Sequence, residues 1–168
     1  MACEIEVRLV QNQDAPELAV LLNEIIQRGG TTAWEDLFTA DALAKAMLTG
    51  PDVISCVVAV NAPTGKLLGF QSLLKIHDGL PEICDITTFI HVGQAKKGIG
   101  SNLFAATIAE AGKNDFTTIN ATIRADNSGG LAYYTRVGSV DYNVHFSVPL
   151  KDGTPIDRIS KRYTLAHE

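Results

Sequence analysis

A chain of 168 residues with 46% hydrophobic and 20% charged side chains is sized for one domain with one substantial core, and no apolar run approaches the roughly 20 residues that span a bilayer. Nineteen Asp and Glu against fourteen Lys and Arg give a net charge of -5, the wrong sign for a protein whose main ligand is a nucleic-acid backbone. The cysteines, Cys3, Cys56 and Cys84, are odd in number and lack metal-ligand spacing, so they read as reduced thiols with no metal implied. The first residues lack the basic-then-apolar order of a secretion signal, which makes the cytoplasm the expected location, with neither membrane nor nucleic acid as a partner.

In chain order, Glu4 to Val10 alternates like a first strand, and Asp14 is placed to cap a helix whose apolar stripe is Leu18, Leu21, Leu22, Ile25 and Ile26. Gly29-Gly30 ends it. Thr31-Thr32-Ala33-Trp34 is too short and polar for an element of its own, and the Trp there either closes over the core or lines a cleft. Thr39 offers a second cap, with Leu43, Ala46 and Met47 as a second stripe. Val53 to Val60 reads as an interior strand, and Leu67 to Ile76 pairs back on it across the Asn61-Gly65 turn.

After the turn at His77-Pro81, Ile86, Thr87, Thr88, Phe89, Ile90 and Val92 favour a largely buried central strand. Gly93 to Lys97 forms a small polar crossing, and Gly98-Ile99-Gly100-Ser101 then opens a helix with Leu103, Phe104, Thr107, Ile108 and Ala111 on its inner face. Phe116 to Ile123 is a further strand, and Asn127 to Val137 a shorter helix stopped by Gly138. Asp141 to Val148 and Ile159 to Leu165 form a closing hairpin. Antiparallel strands at both ends and a strand-helix-strand crossover in the middle predict an α+β fold. Its sheet is mixed and mostly antiparallel, with about six to seven strands and helices on both faces, in a single domain over residues 1–168.

The strand that feeds glycines into a helix presents unpartnered amides at the positive end of the macrodipole, a ready site for a phosphate. Ile90, His91, Gly98, Ile99 and Gly100, followed by Asn127, Tyr134 and Gly138, resemble two motifs of the GNAT superfamily of N-acetyltransferases in their usual order, over about residues 83 to 142. Departures are Ala95, where the family has Arg or Gln, with Lys96 and Lys97 supplying local charge, Gly130 in an Ala position and Ser139 in a Phe position.

The resemblance implies acetyl-CoA as co-substrate. Its pyrophosphate would lie on Lys97, Gly98, Ile99, Gly100 and Ser101, and its pantetheine arm along the backbone of Phe89, Ile90, His91 and Val92, with a bulge near Val92 and a contact from Asn127. Tyr134 matches the family's general-acid tyrosine, although packing is the competing role for one of the pair Tyr133-Tyr134. Asn127 also fits an ordinary helix cap.

The base is less marked. Glu82 and Asp85 are the acidic residues of the central strand, Asp85 shares a face with Thr87 and Phe89, and the glutamate of phosphinothricin acetyltransferase-like relatives falls on Thr87. Those relatives also carry a Thr-Thr-Ala stretch after the first helix. Thr31, Thr32, Trp34 and Thr87 are therefore expected to form a small pocket for an amino acid or related amine, with Arg124 and Arg136 near its carboxylate. A protein N-terminus, a polyamine, or acyl-CoA binding without turnover are the alternatives. The C-terminal hairpin is a possible homodimer contact.

Overall fold

The computed structural model describes residues 4–95 and 97–166. Cys3 and Lys96 lie outside them. Seven strands form one sheet: β1 (Ile5–Leu9), β2 (Val53–Asn61), β3 (Leu67–Lys75), β4 (Ile83–Ile90), β5 (Thr118–Arg124), β6 (Val140–Pro149) and β7 (Pro155–Thr164), in the order β1-β2-β3-β4-β5-β7-β6. Every neighbouring pair is antiparallel except β4 and β5. Helices α1 (Ala15–Arg28), α3 (Ile99–Ala111) and α4 (Ser128–Arg136) flank it, with a short α2 (Ala40–Leu43) that runs on as a π-helical turn over Ala44–Leu48. Among the described residues no helix is long and apolar enough to cross a membrane.

Period-two alternation distributes the core over both faces. Cys56, Val58 and Val60 of β2, with Phe70 and Phe89, pack beneath Leu18, Leu22, Leu43 and Met47 of α1 and α2. Val57 and Ala59 point the other way, to Ile99 and Leu103 of α3, and Ile86, Ile119 and Ile123 meet Phe104, Tyr133 and Tyr134. The cluster beneath α1 and α2 draws on β2, β3 and β4 and takes nothing from β5, β7 or β6, so on that face the second half of the sheet carries no helix. Cys56 and Cys84 are buried free thiols, and burial pushes both up to about 12.

Two local expectations are corrected. Asp14 does not cap α1. Its buried carboxylate takes a two-point contact from Arg8, at 2.8 and 3.0 Å, and the Gln11 N–H at 2.8 Å, tying β1 to the helix start and holding the acid below its usual range. Nor is there a bulge near Val92: β4 pairs with β3 in unbroken register as far as Ile90, and a turn closed by Gln94 N–H to His91 C=O (2.9 Å), with Gly93 at φ +84°, then ends the strand. Thr39 does cap α2, its Oγ1 accepting from Ala42 N–H at 3.1 Å.

Candidate active site

The parallel pairing of β4 with β5 lasts three residues, from Ile83↔Thr118 to Asp85↔Asn120, and then the strands part. Antiparallel pairing turns the His91 N–H toward Leu68 C=O at 2.8 Å. Because successive residues face opposite edges, the N–H and C=O groups of Ile86, Thr88 and Ile90 point toward the departed β5, and those of Phe89 and His91 toward β3. The opening is the floor of a cleft of about 990 Å³ that reaches from the α1–α2 loop to the start of α3.

At the α3 end, Gly98 sits at φ +81°, a left-handed conformation that glycine adopts without strain, and Asn102 N–H to Gly98 C=O at 3.1 Å is the first bond of the helix. The amides of Ile99, Gly100 and Ser101 are therefore free of intrahelical partners. Gly100 also lets α4 approach, since a Cβ there would lie 2.6 Å from the Tyr133 ring. Lys97 stands outside the cleft wall with its ammonium on Gln94 Oε1 at 3.2 Å. The His91 imidazole is likewise off the wall, its Nδ1 2.9 Å from the Val92 carbonyl.

The two tyrosines divide their tasks. Tyr133 donates to Gly100 C=O at 2.8 Å and accepts from Gln71 Nε2 at 3.0 Å, pinning α4 to α3 and β3. Tyr134 is buried on the cleft wall with its Oη 2.8 Å from Thr88 Oγ1. Gln71 Nε2 donates to that same Thr88 oxygen at 2.8 Å, so Thr88 Oγ1 links the Gln71 amide to the Tyr134 hydroxyl, and either hydroxyl can donate across that last bond. Burial raises Tyr134 well above the ordinary phenol range. Tyr134, singled out by the motif resemblance, stands on the cleft wall, whereas Gln71, embedded in an apolar strand, gave no signal.

The α1–α2 loop forms the opposite wall. Asn127 caps α4 through Oδ1, which accepts from Gly130 N–H at 3.0 Å, and its Nδ2 holds Thr31 C=O at 2.9 Å. A Cβ at Gly130 would come within 2.5 Å of that Nδ2, which accounts for glycine where the motif has alanine. Arg124 grips Asp126 through two bonds, at 2.9 and 2.7 Å, and reaches Thr32 C=O at 3.2 Å, so its charge is already paired. Trp34 lines the cleft 44% exposed, edge-on to Phe38. Thr87 also lines it, with a buried Oγ1 that has no protein partner. Asp85 does not line the wall; its carboxylate accepts from Asn120 Nδ2 at 2.8 Å, and burial raises it above the usual carboxylate range.

The sequence over residues 19–138 matches the model of the Acetyltransferase (GNAT) family. The chain belongs to the GNAT acetyltransferase family. None of the curated proteins matches it by sequence. Among solved structures, a phosphinothricin acetyltransferase of the GNAT superfamily from Sinorhizobium meliloti, in complex with AcCoA, superposes with a TM-score of 0.84 at 17% identity, covering 99% of this chain and 90% of that one. An N-acetyltransferase from Staphylococcus aureus Mu50 gives 0.83 at 17% identity, with 97% and 99% covered, and a ribosomal-protein-alanine N-acetyltransferase from Brucella melitensis gives 0.82 at 19%, with 95% and 99% covered. At these identities the likeness is one of fold.

Proposed function

We propose that this GNAT protein transfers the acetyl group of acetyl-CoA to the primary amine of a small molecule, an amino acid or a related amine. The observation that carries the reading is the opening between β4 and β5, which has free helix amides at one end and the Tyr134 hydroxyl on its wall. An extended pantetheine arm fits unpaired strand groups, so the backbone of Ile86, Thr88 and Ile90 would hold it beside Phe89 and Val92, and the amides of Ile99, Gly100 and Ser101 would hold the diphosphate. Bound there, acetyl-CoA supplies an acyl thioester and a thiol leaving group.

Tyr134 then gives its proton to the departing sulfur. Its environment keeps the phenol neutral at rest, and the Thr88 hydroxyl steadies the oxygen while the charge is there. The acceptor would lie against Thr31, Thr32, Trp34 and Thr87. Among the described residues the cleft is lined by Arg28 and Arg136, by Arg124 already paired with Asp126, and by no carboxylate, which suits an anionic co-substrate and a carboxylate-bearing acceptor and disfavours a polyamine.

Thiol release from acetyl-CoA against the amino acids, spermidine and a short peptide tests the reading. Turnover is expected with amino acids. Tyr134→Phe is expected to lower kcat about 100-fold with little change in CoA affinity. Binding of acetyl-CoA with no thiol release for any acceptor overturns it.

A further inference from the structure

We propose that the acceptor amine loses its proton along a hydroxyl chain that begins at Thr122 in the cleft, passes through Ser160 and ends on Nε2 of His145. The inference rests on the N-acetyltransferase reading, because an ammonium must become a neutral amine before it attacks a thioester. Tyr134 serves the other end of the reaction, and no carboxylate among the described residues lines the cleft to take that proton.

The register places the chain on one surface. Thr122↔Ser160 pairs β5 with β7, Asn143↔Ser160 and His145↔Arg158 pair β6 with β7, and all of these side chains face the side of the sheet that α1 and α2 leave open. Thr122 lines the cleft, its Oγ1 is 3.3 Å from Ser160 Oγ, and Ser160 Oγ is 3.1 Å from His145 Nε2. Ser160 is 4% exposed, so its hydroxyl is committed to this path.

Asn120 anchors the cleft end of the chain. Its Nδ2, a donor only, gives one hydrogen to Asp85 Oδ1 at 2.8 Å and the other to Thr122 Oγ1 at 3.3 Å. Thr122 is thereby an acceptor on that side, and either hydroxyl of the Thr122–Ser160 pair can donate to the other. The proposed relay runs in the orientation in which Thr122 donates to Ser160, Ser160 donates to Nε2 of His145, and the imidazole carries its own hydrogen on Nδ1. In that orientation every hydrogen points away from the cleft. Asp85 sits behind an amide that cannot pass a proton on, so it orients the chain through Asn120 and is not its terminus.

When an ammonium N–H faces Thr122, that bond breaks as an O–H bond forms on Thr122. The original Thr122 hydrogen moves to Ser160 and that of Ser160 to Nε2. The products are a neutral amine, two neutral hydroxyls with reversed orientation, and an imidazolium. His145 is exposed and releases the proton to solvent. Charges also on this surface are Arg158 opposite His145 on β7, Arg124 at the end of β5 paired with Asp126 just beyond it, and Arg162, stacked over Tyr142 at 3.6 Å with its Nε 3.4 Å from Asn120 Oδ1.

The test is the pH dependence of kcat, between about pH 6 and 10, for acetyl-CoA and the amino acid that the wild-type chain acetylates fastest. His145→Gln and Ser160→Ala are expected to lower kcat about tenfold or more and to lose the low-pH limb, with the KM for acetyl-CoA unchanged, and Ser160→Thr to recover most of the rate. Wild-type kcat and profile in His145→Gln overturn the chain, while a slow Tyr134→Phe in the same assay leaves the acetyltransferase reading standing. Absence of acetylation by the wild type overturns both. Should Ser160→Ala fail to fold, long-range 1H–15N spectra of the wild type decide: a hydrogen on Nδ1 with Nε2 as acceptor supports the chain, and a hydrogen fixed on Nε2 at neutral pH overturns it.

Discussion

At the scale of single residues, the cleft wall depends on Gln71, which is wholly buried and spends both amide hydrogens there, one on Thr88 and one on Tyr133. Its replacement by Leu removes the donor that holds Thr88 Oγ1 beside Tyr134. Gln71→Leu is expected to cut kcat about tenfold with a smaller effect on acetyl-CoA binding, measured by thiol release and calorimetry together. The same wall sets a pH expectation. Since burial raises Tyr134, the phenol stays protonated through and beyond the ordinary tyrosine range, so kcat should show no alkaline decline below about pH 10. A decline centred at pH 8 or 9 would show that another group carries the acid role.

Motif spacing made Gly98, Gly100, Asn127 and Tyr134 legible in the sequence, because their chemistry is local to a strand-to-helix turn or to one helix face. Gln71 was not legible: a glutamine inside an apolar strand says nothing of a tyrosine 62 positions away. Asp14 misled for a related reason, as Asp before a helix suits a cap but here meets Arg8, six residues back and on another element.

At the scale of elements, the loop between α1 and α2 is a strap fixed at several points. Asn23 brackets the backbone of Phe38 with bonds of 2.9 and 2.8 Å, Asn127 and Arg124 hold Thr31 and Thr32, and the β6–β7 turn holds Glu35 through the Lys151 N–H at 3.0 Å and Asp36 through its ammonium. Placing Thr31 to Trp34 in a loop was within reach of the sequence. The anchors were not, since each comes from a distant turn.

Asp126 fixes the guanidinium that reaches Thr32, so its loss should loosen the cleft wall proposed to take the acceptor and leave the α3 end intact. Asp126→Ala is expected to raise the KM for the amine about three- to tenfold while the Kd for acetyl-CoA stays within twofold, readable from steady-state kinetics and calorimetry. An equal loss in both would place the strap in the co-substrate site instead.

At the scale of the whole molecule, the two-sided core follows from apolar alternation and the single parallel pair from one crossover, which is why the sequence could anticipate an α+β sheet. The edge is a different matter. β6 is paired on one side only, and Val140, Tyr142, Val144 and Phe146 stand exposed along it, Phe146 by 76%. An edge strand with unpaired backbone and large apolar side chains is a surface for self-pairing. A second copy related by a two-fold axis is the expected occupant. Sedimentation at micromolar concentration should give twice the 18.0 kDa chain mass, and Phe146→Glu should return the monomer; a monomeric wild type would contradict this.

The central claim is that the opening between β4 and β5 receives a CoA thioester. Isothermal titration of the purified chain with acetyl-CoA and with CoA measures it most directly. One site per chain is predicted for both ligands, with binding abolished in Gly100→Val, whose side chain would meet the Tyr133 ring that a Cβ alone already approaches to 2.6 Å. Absence of heat at saturating acetyl-CoA, or binding undiminished in Gly100→Val, would contradict the account.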